Sequence, residues 1–182
     1  MKSMFRFLSV TEGGSAMKDY MLRRKKQALN DGEIAAVIDR GSYGILSLCG
    51  EEGMPYGVPL NYVFSDGCFY FHCGKRGHKL ELIGENAKAS LTIVDRDTVI
   101  PSRFATDFIS VIAFGCVEVV EDDAEKYRSI RLLADRFGID DDHAKEEEIH
   151  STFNALTMLR FRPEKISGKM AKALIKRRSE LF

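Results

Sequence analysis

Hydrophobic and polar residues alternate along much of the chain with the two-residue period of β-strands, and turns rich in Gly and Asp interrupt the alternation. The longest such stretch, 108–120, contains Gly115, which predicts a bulge where the strand bends. Ser65-Asp66-Gly67 has the residues of a tight hairpin turn. About six strands are predicted, over 45–49, 55–64, 69–74, 89–94, 108–120 and 156–162.

Three segments have the spacing of amphipathic helices instead. Residues 31–39 are predicted to form a helix capped by Asn30 or Asp31 and ended by Gly41. A second, short helix starts near Leu80 and ends near 84–86. A third spans 124–137 and is predicted to place on one side Tyr127, Ile130, Leu133, Ala134 and Phe137.

Close strand spacing without strand–helix–strand alternation predicts a mainly β fold, a small antiparallel β-barrel with peripheral helices. Side chains fill the interior of such a barrel, so a cofactor would lie in an outer groove or between subunits. This points to a dimer. The predicted division is a flexible N-terminal extension over 1–20, a barrel domain over 21–170 and a basic tail over 171–182.

Composition excludes several classes of protein. The 182 residues include 27 Lys and Arg and 27 Asp and Glu, so no global charge favours nucleic acid or a membrane surface. No apolar run reaches the length of about 20 residues that a membrane span needs. The four cysteines form no C-x-x-C pair, which favours buried thiols in a reducing, cytoplasmic setting over disulfides or structural zinc.

The loop after the aromatic strand is the main candidate for chemistry. Residues 74–77 read Gly-Lys-Arg-Gly and lead into a helix start with His78 and Lys79. Glycines let a backbone approach closely, and a helix N-terminus with nearby cations favours an anion such as a phosphate. The spacing fits neither the Walker A motif nor the dinucleotide fingerprint. An ordinary solvated basic turn is the alternative.

Other titratable groups have simpler interpretations. A metal site at His72, Cys73 and His78 lacks a fourth ligand, so no metal is predicted. His72 by itself is also compatible with a half-buried histidine bonded to backbone. The acidic stretch 140–148, with His143 and His150, is predicted to be solvated surface. The same is predicted for the cations of the tail, Lys172, Lys176, Arg177 and Arg178.

Five ordered motifs carry a resemblance to a known family. They are Pro55-Tyr56-Gly57-Val58-Pro59-Leu60-Asn61-Tyr62, Tyr70-Phe71-His72, Gly77-His78-Lys79-Leu80, Ser110-Val111 and Ile166-Ser167-Gly168-Lys169. On these motifs the chain resembles the pyridoxamine-5′-phosphate-oxidase-like, flavin-binding split-barrel proteins, and among them the nitroimidazole-resistance (Nim) proteins, over roughly 21–169.

The resemblance implies a homodimer of six-stranded split barrels that holds two FMN molecules at the subunit interface. FAD and a deazaflavin stay open as alternative cofactors. The family pattern places His78 and Lys79 on the phosphate and His72 beside the flavin as the reactive residue. Ser110 would complete the ring's hydrogen bonds from the partner subunit or the opposite wall. The family pattern also places Phe71 at the edge of the ring, and along the ring it places Val58, Pro59, Leu60 and Asn61.

The implied function is reduction of a small, electron-poor substrate such as a 5-nitroimidazole, with electrons from an external reductant. A flavin- or haem-binding carrier or sensor without turnover is the competing hypothesis. Oxidation of pyridoxamine phosphate is disfavoured, because His78 stands where true oxidases carry an arginine beside the phosphate lysine. The chain also lacks their arginine-rich C-terminal signature.

Overall fold

The computed structural model describes residues 22–50 and 52–182, so the predicted extension over 1–20 lies outside the described residues. Antiparallel strands dominate the chain, with helices at its periphery. The helices are α1 (Asp31–Arg40), α2 (His78–Glu85), α3 (Asp123–Phe137), α4 (Asp142–Thr152) and α5 (Arg178–Leu181). The strands are β1 (Tyr43–Cys49), β2 (Pro55–Asn61), β3 (Val63–Ser65), β4 (Cys68–Gly74), β5 (Lys88–Ile100), β6 (Ala105–Val119) and β7 (Leu156–Met170).

The seven strands form one antiparallel sheet in the order β2-β1-β5-β6-β7-β4-β3. The two edge strands, β2 and β3, are consecutive in sequence and are joined at Tyr62. The sheet must therefore curl until its edges approach each other, and β2 comes into contact with β4. Among the described residues no ladder joins β2 to β4, so the barrel is split there.

Tyr62 fixes the corner at which the chain crosses from one edge of the sheet to the other. Its side chain is fully buried, and its hydroxyl donates a 2.7 Å hydrogen bond to the Ile38 carbonyl at the end of α1. Burial raises the pKa of Tyr62 well above its ordinary value. The corner also explains the strand count: residues 55–64, predicted as one strand, are bent here into β2 and β3, which gives seven strands rather than six.

The inner face of the curled sheet holds the main core. Alternate residues of each strand point inward, and α1 packs over β5, β6 and β7. α1 begins with a reciprocal capping box between Asn30 and Glu33 and ends at Gly41, as predicted. The fully buried inward side chains include Leu46, Leu91, Ile93, Ile109, Val111, Phe69, Phe71, Leu159 and Phe161.

In the described part of the chain, helices cover one end of the sheet's outer face. There α3 and α4 pack on β3, β4 and β7 in a second apolar cluster that includes Tyr70, Ile130, Leu133, Ile149 and Met158. The predicted apolar side of α3 is half right: Ile130 and Leu133 are buried, whereas Tyr127 and Phe137 are exposed. The outer face of β2, β1, β5 and β6 has no helix over it among the described elements.

Several predicted elements are confirmed with longer bounds. The Asp66-Gly67 turn has positive φ at both residues, 51° and 76°, as a tight hairpin requires. The predicted bulge lies between Phe114 and Gly115, where the β6–β7 register shifts. β5 and β6 extend into a long hairpin, and β7 continues to Met170.

Two segments are more ordered than the sequence indicated. Residues 140–148, predicted as solvated surface, contribute most of α4; His143 and His150 are exposed, but Ile149 is buried. In the tail, Lys172, Lys176 and Arg177 are exposed as predicted. Arg178 differs, because its guanidinium lies 2.7 Å from the buried carboxylate of Glu33 and ties the tail to α1.

The outer sheet face and the loop before α2 as a candidate site

The uncovered outer face presents a row of residues across four strands. Directly paired residues project from the same face of a sheet. Ile45 pairs with Pro59 of β2 and with Thr92 of β5, and Thr92 pairs with Ile112 of β6. Ile45 is 38% exposed and Ile112 is 37% exposed, which is unusual for strand interiors. The row forms a mainly apolar strip on the outside of the sheet.

A second row lies two residues further along the strands. Asn61 pairs with Tyr43, and Val94 pairs with Ser110. Tyr43 is 52% exposed and Val94 48% exposed, so the apolar surface continues between the two polar side chains. Asn61 and Ser110 lie three strand spacings apart, about 14 Å along the sheet. The structure thus brings Pro59, Asn61 and Ser110 onto one face.

The split separates this face from β4. His72 points outward from β4 and is exposed, while its neighbour Phe71 points into the core and is fully buried. Val58 and Leu60 are half-buried and pack against the core. The predicted ring residues therefore divide: Pro59, Asn61, His72 and Ser110 present side chains outside, whereas Val58, Leu60 and Phe71 can offer only backbone there.

The basic loop leads into α2 through a conformation restricted to glycine. Gly77, the N-cap, has φ 137° and ψ 160°. Its carbonyl accepts from the N–H of Leu80 at 2.9 Å, and no side chain caps the helix. The N–H groups of His78 and Lys79 precede the first bonds of the helix. With Lys75 and Arg76 exposed beside them, these groups form an anion seat.

The two side chains predicted for a phosphate are held in place by neighbours. The His78 ring meets Tyr56 of β2 edge-on at 5.2 Å between centroids, across the split, and its Nδ1 lies 3.3 Å from a Glu81 carboxylate oxygen. Lys79 is half-buried near Cys73. Burial raises the pKa of the Cys73 thiol, and the Lys79 charge opposes that rise.

The donor set fits a ligand with an anionic end and a flat apolar ring. The anion seat supplies backbone N–H groups and cations, and the outer face supplies apolar surface with Asn61 and Ser110 as polar groups. No three His, Cys, Asp or Glu side chains in the described ranges are placed to hold a metal ion. None of the helices described is long and apolar enough to cross a membrane.

Two cavities lie away from these residues. One, of about 590 Å³, lies between α1 and the C-terminal segment. The other, of about 520 Å³, lies at the start of α3 against β4 and β7. There the Tyr70 hydroxyl donates to Glu125 at 2.8 Å, and Arg160 pairs with the same carboxylate. Burial and then this hydrogen bond raise the pKa of Tyr70 to about 12. The charges in this cavity are largely paired with one another.

Sequence reasoning missed the apolar part of the outer face and the Tyr56–His78 contact. A signal was present: residues 108–114 are apolar on both faces of the strand, which is typical of a strand covered on both sides. Of the four cysteines predicted to be buried, Cys68 and Cys73 are buried, and Cys49 and Cys116 are half-buried.

A family model identifies the family of the chain, and solved structures share its fold. A family model described as pyridoxamine 5′-phosphate oxidase matches residues 30–170. No curated protein sequence matches the chain.

Solved structures share the split-barrel fold at low identity. A conserved hypothetical protein from Mycobacterium tuberculosis is 19% identical, with a TM-score of 0.72 over 85% of this chain and 92% of that one. A candidate 5-nitroimidazole antibiotic resistance protein from Bacteroides thetaiotaomicron is 20% identical, with a TM-score of 0.64 over 79% and 86%. An FAD and haem binding protein from Mycobacterium smegmatis is 18% identical, with a TM-score of 0.65 over 81% and 74%.

Proposed function

The chain belongs to the pyridoxamine 5′-phosphate oxidase family, and from that premise we propose that it is a flavin-binding reductase of small, electron-poor compounds such as 5-nitroimidazoles. The observation that carries the proposal is the Tyr56–His78 contact, which places the start of α2, with its anion seat, against β2, the edge strand of the open outer face. A flavin mononucleotide needs both, one for its phosphate and one for its ring. The structural neighbours that bind flavin, or are linked to nitroimidazole resistance, support the same reading.

FMN is the preferred cofactor. The seat at Gly77 to Lys79 offers one helix N-terminus, which suits a single terminal phosphate. FAD is the alternative, supported by the FAD-binding neighbour and by the exposed Lys75 and Arg76, which could meet a second phosphate. Mass spectrometry of the small molecule released on denaturing the purified protein decides between them. Release of no flavin after reconstitution with excess FMN and FAD would refute the proposal.

A homodimer completes the proposed site. The outer face of β1, β5 and β6 exposes several large apolar side chains, among them Tyr43, Ile45, Val94 and Ile112, and a cluster of this kind is typical of a surface that binds another protein. A second copy could cover it and bring its own Ser110 towards the ring held by the first. The site would then draw side chains from both subunits.

Each side chain has a role that follows from its position. A bound flavin supplies the electron transfer chemistry, and the protein supplies orientation and electrostatics. Lys79 and the N–H groups after Gly77 bind the phosphate. Asn61 and Ser110 orient the ring by hydrogen bonds. His72, exposed on β4 across the split from β2, can deliver a proton to a substrate that is receiving electrons.

The assay compares His72→Ala with a matched histidine variant. With a nitroimidazole and a reduced nicotinamide as electron source, His72→Ala should lower kcat by about 100-fold while flavin binding persists. His143→Ala, an exposed histidine on α4, should leave the rate unchanged. Turnover by His72→Ala equal to that of the parent would remove His72 from the chemistry.

A carrier or sensor without turnover is the second candidate, favoured by the neighbour that binds FAD and haem. It predicts tight cofactor binding and no substrate-dependent oxidation of the reduced nicotinamide. Steady-state rates with and without the nitroimidazole therefore separate the two functions.

A further inference from the structure

Lys169 lies beside Ser110 on the outer face of the sheet. The two residues are direct partners in the β6–β7 ladder, so their side chains leave the sheet on the same side, about 5 Å apart at the backbone. Lys169 is the last residue of the Ile166-Ser167-Gly168-Lys169 motif, for which the proposed function has no role so far. Wherever Ser110 meets a flavin ring, Lys169 must be next to it.

The backbone at Lys169 is held from both sides. β6 pairs along one edge, and on the other edge Ala28 forms a bridge to Lys169. The Leu29 N–H donates to the Gly168 carbonyl at 2.9 Å, and a Cβ on Gly168 would lie 2.7 Å from a Leu29 methyl. Glycine is needed there so that the 28–29 segment can pack closely. The motif therefore holds the backbone of Lys169 in a fixed position.

The Lys169 ammonium has no carboxylate partner in the part of the chain that the structure describes. Its Nζ lies 5.4 Å from the centroid of the Phe108 ring, and the side chain is half-buried. Phe108 is itself fixed, because its carbonyl accepts from the Ala171 N–H at 2.8 Å. Because the Lys169 ammonium contacts an aromatic ring and is not paired with a carboxylate, its charge remains available to interact with a ligand.

We propose that Lys169 raises the midpoint potential of the bound flavin by stabilising the negative charge of its reduced ring. The inference rests on the proposed function, since it needs a flavin beside Ser110. Two electrons and one proton from an external reductant turn a neutral oxidised ring into a reduced ring carrying one negative charge. A fixed cation at the ring edge favours that anion over the neutral form.

The test measures binding and potential rather than turnover. Lys169→Met removes the charge with little change in bulk, and Lys169→Arg retains it. Lys165→Met is the matched control: it removes a lysine from the same strand and face, four residues and about 13 Å away, where solvent screening weakens the effect. Dissociation constants for oxidised and reduced flavin, and the midpoint by dye equilibration, are determined for each.

Lys169→Met should weaken binding of reduced flavin about tenfold relative to oxidised flavin. For a two-electron couple this corresponds to a midpoint lowered by about 30 mV. Lys169→Arg and Lys165→Met should stay near the parent value. An unchanged midpoint in flavin-loaded Lys169→Met overturns the inference and leaves the proposed function standing.

Two further outcomes are also decisive. Equal loss of oxidised and reduced flavin from Lys169→Met would assign the lysine to cofactor affinity alone and overturn the inference. A parent protein that binds no flavin would overturn the proposed function, and this inference with it.

Discussion

Gly77 determines whether the anion seat can form. Its φ of 137° is nearly closed to residues with a side chain, yet among the described residues no atom beyond its own chain neighbours lies within 4 Å of where a Cβ would be. Gly77→Ala is therefore expected to lower the free energy of unfolding by about 1–3 kcal/mol through backbone strain alone. Chemical denaturation measures it, and flavin affinity should fall in parallel.

Gly74 provides the control for that prediction. It lies at the other end of the same loop, also with open space around its Cβ position, but without a positive φ. Gly74→Ala should change stability by less than about 0.5 kcal/mol. Equal effects at the two glycines would mean that backbone conformation is not what selects Gly77.

The Tyr70 hydroxyl should make the free energy of unfolding depend on pH in the alkaline range. Because burial and the Glu125 carboxylate raise its pKa to about 12, the folded protein keeps a proton that the unfolded chain loses near pH 10. The free energy of unfolding should fall as pH rises from about 10 to 12. In Tyr70→Phe the unfolding free energy should fall less steeply with pH, because the slope lacks the contribution of one proton. Urea titrations at several pH values across this range measure the slope. An identical slope would show that Tyr70 titrates normally.

At the scale of residues, the sequence predicted the candidate anion-binding chemistry better than it predicted the directions in which side chains point. Gly77 and Lys79 were recognisable from the loop composition, because glycine and cations before a helix have one strong physical interpretation. The inward direction of Phe71 and the outward direction of His72 depend on which face of β4 meets the core. Lys169 was invisible as a neighbour of Ser110, since their register is set by a ladder between residues far apart in sequence.

At the scale of elements, the Arg136 side chain joins α3 to the end of α1. The Arg136 guanidinium donates to the carbonyls of Asp39 and Gly41 at the end of α1, and it lies over the Tyr62 ring. It therefore caps α1 and secures the corner between β2 and β3. Arg136→Ala should cost about 1–3 kcal/mol of unfolding free energy, as is typical for lost hydrogen bonds from a charged group.

The control for the Arg136 prediction is Arg103, an arginine on the protein surface. Arg103 pairs with Asp107 within the β5–β6 hairpin, and among the described residues it has no ion pair with another element. Arg103→Ala should cost less than about 1 kcal/mol. If both variants lose the same stability in urea, Arg136 has no special structural role.

Element boundaries were predictable where a local signal exists. The cap at Asn30, the turn at Asp66-Gly67 and the bulge at Gly115 each depend on residues close in sequence. The break at Tyr62 carries no such signal, because the alternation of 55–64 continues through it. α4 was missed for a similar reason: its acidic sequence has little apolar periodicity, and ion pairs from Arg131 to Asp142 and Glu146 hold it against α3.

For the whole molecule, the uncovered outer face predicts assembly. Ile112 is exposed on that face, on β6, so Ile112→Asp should place a charge in the proposed dimer interface. The variant is expected to sediment as a monomer at micromolar concentration and to bind flavin at least tenfold more weakly. Ile139→Asp is the control, because Ile139 is 66% exposed in the α3–α4 connection. A parent protein that is already monomeric would refute the dimer.

The missing ladder between β2 and β4 makes this barrel adjustable at a single seam. Elsewhere, widening the wall would break main-chain hydrogen bonds, but here mainly side-chain contacts such as that of Tyr56 with His78 resist it. Parting the seam would move the start of α2 relative to β2, and with it the anion seat relative to the outer face, while the remaining strands keep their registers. A ligand that reaches from one to the other could therefore vary in length without any strand having to unfold.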